Sequence, residues 1–517
     1  MILRKYGPFA VPLLSGLLLT SCFAPFNMWM VAWICLVPLL WGITIVRSGL
    51  ASAAMGFATG LVFWLTSIPW ITVVMQNYGD LPFPVALLLL LLLAVYLSLY
   101  PALLCWILKL SLNRVGSIAL FMVPVLWATN ELLITFVLTG FPWNLLGYSQ
   151  VFFLPVIQIA DVTGVYGVSF TLVLVNALIA FLFLNEPANR KSFYIPVIAS
   201  GFVIVFVFVY GFISLSSQPE EMRKFRVALI QDEMTNEERL SADQQALFNY
   251  YIDSSREAAA KGIDLVIWGE GALLFLDMVG EGEGMPGGFA EQFVLSLSRD
   301  EKFWLLMGSS DYINNYSEIY NTAVTISPEN DGLVSGRYAK VHLTPFGEYV
   351  PFGFIFGWLD KVVPEISNFK SGDKINTMPL LNGRVGTAIC YEIIFPDQVR
   401  RFTAESATVL ATISNDAWFG KTAANDQHFN MAIMRAVENR RYLLRCAVTG
   451  VSGIITPSGA VSSRSETYKR MVIEDEAAMM DGTTAYVMVG DLFGYVCTIA
   501  ALGWVFWLRF TARKKRV

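Results

Sequence analysis

The sequence predicts a membrane α-helical bundle of about eight transmembrane helices joined to one extracytoplasmic α/β layered domain. Three observations carry this. Of 517 residues, 55% are hydrophobic and only 15% charged, where soluble chains carry about 25% charged residues. Apolar runs near the bilayer-crossing length of about 20 residues recur at 8–25, 28–46, 52–75, 84–108, 117–139, 163–184, 193–215 and 491–509. Between the last two runs, residues 216–490 have ordinary globular composition, with strand-like and helix-like segments in alternation. The expected domains are therefore a bundle over 1–215, an outer domain over 216–490, and an eighth helix with a basic tail over 491–517.

The first run ends in Leu19-Thr-Ser-Cys22, which imitates a bacterial lipoprotein cleavage box. The chain stays apolar after Cys22, so the run is expected to be the first membrane helix. Orientation follows from the cations. Arg4, Lys5, Arg47, Lys109, Arg114, Arg190, Lys191 and the terminal cluster Arg509, Arg513, Lys514, Lys515 and Arg516 fall in alternate loops and ends. The intervening loops 26–27, 76–83 and 140–162 hold no Lys or Arg. Basic loops stay cytoplasmic, so both termini are expected inside and 216–490 outside. Glu131 is an acidic residue well inside a run. It either faces the bundle interior to meet a polar group, or lies nearly at the interface. In the outer loop Gly140-Phe-Pro-Trp-Asn-Leu-Leu-Gly-Tyr-Ser-Gln150, Trp143 and Tyr148 suit an interfacial aromatic belt.

In the outer domain, strands are expected at 226–231, 264–268, 303–308, 385–389, 407–413, 443–447 and 452–456, with a hairpin over 320–326 and 333–338. Helices are expected at 237–260 and 425–440. Several strands are apolar throughout, the mark of a sheet covered on both faces. Two histidines and six scattered cysteines, with no Cys-x-x-Cys and no His cluster, argue against zinc or haem. No metal, cofactor or nucleic-acid partner is expected.

Reactive residues sit where strands end. Cys390 closes the strand 385–389 on a turn into a helix near Pro396, a placement that presents a nucleophile. Taken alone, it also fits a small core hydrophobe. Glu270 follows the second strand in Trp268-Gly-Glu270, and Lys340 follows the hairpin. A thiol with an ordinary pKa near 8.5 is mostly protonated at neutral pH and needs a base or a nearby cation. Glu270 could take that proton, and Lys340 could stabilise a thiolate and an oxyanion.

Glu270, Lys340 and Cys390 in that order resemble the Glu-Lys-Cys triad of the nitrilase (carbon–nitrogen hydrolase) superfamily. A narrower resemblance, spanning nearly the whole chain, is to the bacterial apolipoprotein N-acyltransferase family. It rests on Phe141-Pro-Trp143, Leu146-Gly-Tyr-Ser-Gln150, His342-Leu-Thr-Pro-Phe-Gly-Glu-Tyr-Val-Pro351, Cys390-Tyr-Glu392, Ser414-Asn-Asp-Ala-Trp-Phe-Gly420, Gln427-His428 and Arg435-Ala-Val-Glu438. The resemblance implies an αββα sandwich for the outer domain. It implies Cys390 as nucleophile, Glu270 as general base and Lys340 as oxyanion cation, with Glu348, Tyr391 and Glu392 in support. It places Trp418 and Phe419 on a loop near a lipid-facing mouth, with which Trp268, Glu131 and Trp143 are grouped. The sequence departs from the family pattern at Gly269, where proline is usual, at Val448, where asparagine is usual, and at Asp232-Glu233.

The activity so implied is N-acylation of the N-terminal S-diacylglyceryl-cysteine of apolipoproteins. The donor would be a phospholipid sn-1 acyl chain, typically of phosphatidylethanolamine, passed through a cysteine thioester with ping-pong kinetics. The implied protein is a multi-pass monomer of the bacterial inner membrane with its catalytic domain on the periplasmic side. A membrane-tethered amidase shares the triad but has no use for Phe141-Pro-Trp143. A non-catalytic membrane scaffold has no use for the triad.

Overall fold

The computed structural model describes residues 2–77, 79–185, 190–217, 221–235, 238, 244–272, 288–313, 318–329, 334–349 and 369–513. The start of the helix expected at 237–260, the end of the Pro345–Pro351 motif and the basic residues 514–516 lie outside them. The chain divides into two compact units. One comprises Met1–Thr72, Pro82–Ser217 and Val489–Val517; the other comprises Val73–Leu81 and Gln218–Met488.

The first unit is helical, and each apolar run is helical in it, though not always as one helix. Five described stretches are long and apolar enough to cross a membrane: Gly49–Ser67, Phe83–Thr139, Val165–Leu184, Lys191–Ser216 and Leu492–Phe510. Phe83–Thr139 contains two expected spans. Its first helix, Phe83–Val115, ends at Gly116 in the left-handed region (φ 69°), and the second restarts at Val123 with Pro124 in its first turn. The run at 28–46 is a 3-10 turn, Trp29–Trp33, followed by the helix Val37–Ile45, which opens on Pro38. Pro69 follows the end of the helix Gly49–Ser67, and a new helix, Ile71–Asn77, begins beyond it. Most of that helix lies in Val73–Leu81, which belongs to the other unit.

Close helix approach in this unit uses small residues. A Cβ on Gly56 would stand 2.3 Å from the Pro101 carbonyl oxygen, and one on Gly60 2.8 Å from the Pro101 ring. Ser52 Oγ donates to the Cys105 carbonyl at 2.7 Å one turn earlier. This is the small-residue seam by which helices pack in lipid, where van der Waals contact replaces the hydrophobic effect.

Glu131 is buried in this unit and works as a tie. Its Oε1 accepts from Trp127 Nε1 at 2.8 Å and from the main-chain N–H of Leu146 at 2.8 Å. On the neighbouring helix, the Ser169 hydroxyl accepts from Gly147 N at 2.8 Å. The loop 140–153 is thereby fixed to two helices, and it is buried. Trp143 is fully enclosed and packs on Trp70 and Phe141, Tyr148 is 1% exposed, and Gln150 donates to the Trp29 carbonyl. This corrects the belt reading of Trp143 and Tyr148, and it turns Glu131 into the interior of the unit. Because the loop must satisfy its own backbone away from water, it carries Asn144, Ser149 and Gln150, and aromatic bulk turns inward.

The second unit is an αββα sandwich. One six-stranded sheet runs β12-β1-β2-β3-β4-β5 and the other β11-β10-β9-β8-β7-β6. In the first, β1 (Glu221–Gln231), β2 (Leu265–Trp268) and β3 (Trp304–Ile313) are parallel, and β4 (Glu318–Ile326), β5 (Val334–Ala339) and β12 (Met471–Met480) are antiparallel. In the second, β7 (Gly383–Ile389), β8 (Val409–Ser414) and β9 (Leu443–Ala447) are parallel, flanked by β6 (Met378–Leu380), β10 (Gly453–Ile455) and β11 (Val461–Arg464). Short β6, β11 and the late β12 were not foreseen, because edge strands lack a continuous apolar run.

The helices Gln244–Ala260 and Phe289–Glu301 cover the first sheet, burying Leu247, Tyr251, Val294 and Leu297 against Val266, Trp268, Leu305 and Met307. The helices Pro396–Ala404 and Ala424–Asn439 cover the second; Gly386 has no room for a side chain because Phe402 lies on it. Between the sheets, Cys446 Sγ points at the carbonyls of Ile230 (3.4 Å) and Ile267 (3.3 Å). Parallel strands β2, β7 and β8 and the antiparallel β5 end on one side of this sandwich, where the reactive residues follow.

If Glu131 is a structural tie, Glu131→Leu strands the Leu146 N–H and the Trp127 indole, a cost of about 1–3 kcal/mol. Thermal unfolding in detergent should fall by several degrees for Glu131→Leu and barely for Glu131→Gln, which keeps an acceptor. Equal melting of all three proteins would contradict the role.

Candidate active site

Cys390 immediately follows β7 and opens a 3-10 turn, Cys390–Ile394. Its φ is 51°, a left-handed conformation that a non-glycine residue holds only where its surroundings impose it. Burial raises the thiol pKa, Glu270 and Asp416 add to this, and Lys340 and a hydrogen bond from Ser414 oppose it. At rest the thiol is protonated, which makes a base necessary.

Lys340 follows β5 and is 1% exposed. Its Nζ lies 2.8 Å from Glu348 Oε2, 3.7 Å from Glu270 Oε1 and 3.4 Å from Thr344 Oγ1. Burial disfavours its charge, but Glu348, Glu270 and Cys390 more than offset that and hold its pKa above the ordinary value. Glu348 is its closer ion partner. Burial raises the Glu348 pKa, yet Lys340 and donors from Thr344 N (2.7 Å) and Asn321 Nδ2 (2.8 Å) bring it below the usual carboxylate range. Glu270 follows β2. Its Oε1 accepts from Asn321 Nδ2 at 2.7 Å, and its Oε2 accepts from the main-chain N–H of Asn415, just past β8, at 2.8 Å. The three residues expected from strand ends therefore do meet, with Glu348 beside them.

Glu392 braces the group. Its Oε1 accepts from Tyr338 OH (2.8 Å), Val341 N (2.7 Å), His342 N (3.0 Å) and Gln398 Nε2 (2.6 Å), and its Oε2 from Ile389 N (2.8 Å). It thus clamps the Lys340 loop to the turn that bears Cys390. Burial raises its pKa against these donors. Tyr391 packs edge-on against Phe395, on which His342 stacks at 3.8 Å. Burial and Lys340 bring His342 down to about 4, so it is neutral at physiological pH.

A second polar cluster lies near Cys390. Asp416 Oδ1 accepts from Ser414 Oγ at 2.5 Å and pairs with His428 Nδ1 at 3.1 Å, and its Oδ2 accepts from Arg445 Nη2 at 2.6 Å. Burial raises the Asp416 pKa, but Arg445 and His428 carry it well below the carboxylate range. Gly450 is glycine because a Cβ there would fall 2.2 Å from Asp416 Oδ2.

Other expected mouth residues separate. Trp418 is exposed at the turn Asp416–Phe419, and Phe419 packs edge-on against His428. Trp268 is a correction: it is fully buried under the helix Gln244–Ala260, its Nε1 donating to Ser255 Oγ, and lines no opening. Glu131 and Trp143 belong to the helical unit, within its packed interior. Sequence reasoning missed Asn321, Tyr338, Gln398 and Arg445. Asn321 stood in a strand motif beside Thr322, and nothing local marked its side chain as different from a solvated one.

Residues 226–477 match the carbon–nitrogen hydrolase domain, the class that the sandwich and its strand-end site define. Residues 15–178 match the apolipoprotein N-acyltransferase N-terminal domain. Curated apolipoprotein N-acyltransferases align along almost the entire chain. The protein of Geobacter metallireducens is 35% identical over 95% of this chain and 94% of its own. That of Nitrosomonas europaea is 31% identical over 92% of each, and that of Wigglesworthia glossinidia brevipalpis 29% over 94% and 96%. The chain belongs to the apolipoprotein N-acyltransferase family.

Two of the three departures from the family pattern, Gly269 and Val448, are neighbours. A Cβ on Gly269 would lie 3.0 Å from Val448 Cγ2 and 3.2 Å from Val448 N. Gly269→Ala should therefore cost about 1–3 kcal/mol by overpacking beside Glu270, and Val448→Ala in the same protein should recover most of it. Unfolding midpoints of the two single variants and the double variant measure this; strictly additive losses would show that the residues do not compensate.

Proposed function

We propose that this acyltransferase moves a phospholipid sn-1 acyl chain, with phosphatidylethanolamine as the donor, to the α-amine of the N-terminal S-diacylglyceryl-cysteine of apolipoproteins. The observation that carries the reading is the gathering of a buried thiol, a buried ammonium and a carboxylate at the ends of β7, β5 and β2. Cys390 is the nucleophile, Glu270 the base and Lys340 the oxyanion cation; Glu348 holds Lys340 in place, and Tyr391 and Glu392 shape the turn.

Glu270 takes the Cys390 proton as Sγ attacks the ester carbonyl carbon. The tetrahedral oxyanion forms beside Lys340, whose charge needs no reorganisation to meet it. On collapse the carbon–oxygen bond breaks, Glu270 returns the proton to the leaving lysophospholipid, and a thioester remains. The acceptor amine then attacks that thioester. Glu270 takes a proton from the nitrogen, the carbon–sulfur bond breaks, and the Cys390 thiol is restored. Two substrates on one nucleophile give ping-pong kinetics. Trp418, exposed beside the site, is assigned to the lipid-facing mouth with Phe419.

The protein is assigned to a bacterial inner membrane as a monomer, with residues 216–490 periplasmic, on the strength of the basic-loop asymmetry. Thiol labelling of intact cells tests this. A cysteine at the exposed Glu257 should react with an impermeant reagent and one at the exposed Asn113 should not; the reverse pattern overturns the orientation.

Single-turnover acylation from labelled phospholipid tests the roles. Cys390→Ala should form no thioester. Glu270→Gln should lose about 10²–10⁴ in rate, the usual consequence of removing a positioned base. Lys340→Ala should lose about 10²–10³, and Glu348→Gln should lose less than either. Wild-type acylation by folded Glu270→Gln would remove Glu270 from the base role, and discharge of the thioester by water as fast as by amine would make the protein a hydrolase.

A further inference from the structure

Asn321 sits in β4 against the end of β5, and it touches three of the four charged members of the site. Its main-chain carbonyl accepts from Lys340 N at 2.8 Å. Its side-chain nitrogen donates to Glu270 Oε1 at 2.7 Å and to Glu348 Oε1 at 2.8 Å. One amide nitrogen has two hydrogens, so each carboxylate receives one. The orientation of the amide follows from the charges. Turned over, it would set Oδ1 against two carboxylate oxygens, and both would need protons.

The charged and titratable groups around the two glutamates come from several elements. Glu270 arrives from the end of β2, and Lys340, His342 and Glu348 from β5 and its loop. Cys390 arrives from the turn after β7, and the Asn415 N–H from the end of β8. Two carboxylates thus oppose each other across one nitrogen with one ammonium between them, closer to Glu348 than to Glu270. Two carboxylates that close on each other hold a proton in common, and the amide between these two keeps them apart. A glutamate that shares a proton cannot take another from a thiol. An amide supplies hydrogens to both without supplying a proton to either.

We propose that Asn321 is a positioning residue for proton transfer: by donating one amide hydrogen to each glutamate it keeps the pair from sharing a proton, and so leaves Glu270 open to the proton of Cys390. This rests on Glu270 being the base.

The full-length protein in detergent, with labelled phosphatidylethanolamine as the probe, gives the test. The single-turnover acylation rate and the half-saturating lipid concentration are measured for Asn321→Ala and Asn321→Asp, each alone and with Glu348→Gln, at pH 7 and pH 9. Asn321→Ala is expected to lower the rate about 10- to 100-fold, as for loss of hydrogen bonds to charged groups, with half-saturation unchanged. The loss should shrink several-fold at pH 9, where a shared proton is given up. It should shrink likewise beside Glu348→Gln, where there is no second carboxylate to share it. Asn321→Asp, though the same shape, should be slower than Asn321→Ala, because it adds a third carboxylate and donates nothing. If Asn321→Ala does not fold, Asn321→Ser, which keeps one donor, is expected between wild type and that loss with the same dependence on pH and on residue 348. Equal losses for Ala and Asp in both backgrounds and at both pH values would reduce Asn321 to packing and overturn the proposal. Wild-type acylation by Glu270→Gln would instead remove the base reading beneath it.

Discussion

The strand-end cluster depends on one buried carboxylate, Glu392, that ties its segments together. Glu392 receives five hydrogen bonds, from Ile389 before the nucleophile, from Val341 and His342 after the lysine, and from Tyr338 and Gln398. These partners are held by different strands, so the bonds fix a distance that no single strand sets. A carboxylate out of water is costly unless its lone pairs are filled, and here the filling groups are the backbone of the two segments that must be held together. The left-handed turn at Cys390 is held on its entering flank, where Ile389 N is tied to Glu392.

Within that brace the charges are unevenly paired. Lys340 is bonded to Glu348 at 2.8 Å and stands 3.7 Å from Glu270. The closer carboxylate neutralises the ammonium and keeps it in place; the farther one keeps lone pairs for a proton. Asp416, with Arg445 and His428, forms a separate buried group whose charge is matched internally, so it does not compete for the nucleophile's proton. The division of labour is visible in what each glutamate touches. Glu348 and Glu392 meet partners that hold structure, whereas Glu270 has one oxygen on Asn321, one on Asn415 N, and the thiol within its field.

Much of this was legible because strands announce their ends. Glu270 and Cys390 come at the ends of apolar strands and Lys340 at the end of a hairpin, and the parallel strands β2, β7 and β8 carry their ends to one side of a layered fold. What stayed hidden depends on partners far apart in sequence. Asn321 reads as one polar residue in a hairpin, and its meaning lies in residues 270 and 348. Arg445 alternates inward on β9 like any core residue. Trp268 looked like a gatekeeper because it precedes the base, but strand alternation turns it the other way, under a helix. In the helical unit, Trp143 and Tyr148 carry the amphipathic composition of an interfacial belt, and composition cannot tell a belt from a loop folded inward. Glu131 decides it, since an ionisable group inside a span must find donors and finds them on that loop. Hydropathy runs straight across Pro38 and Pro69, where the helices in fact restart, because a run of apolar residues does not show where its backbone turns.

The most direct measurement is intact-protein and peptide mass spectrometry of the purified protein after exposure to a phospholipid of defined sn-1 chain, before and after addition of a diacylglyceryl-cysteine peptide. One acyl chain of the sn-1 mass should appear on the peptide containing Cys390, labile to hydroxylamine as a thioester is. It should leave that peptide and appear on the amine of the acceptor. An acyl group on any other residue, or transfer to the acceptor without a chain ever residing on Cys390, would contradict a site built to make that thiol the carrier.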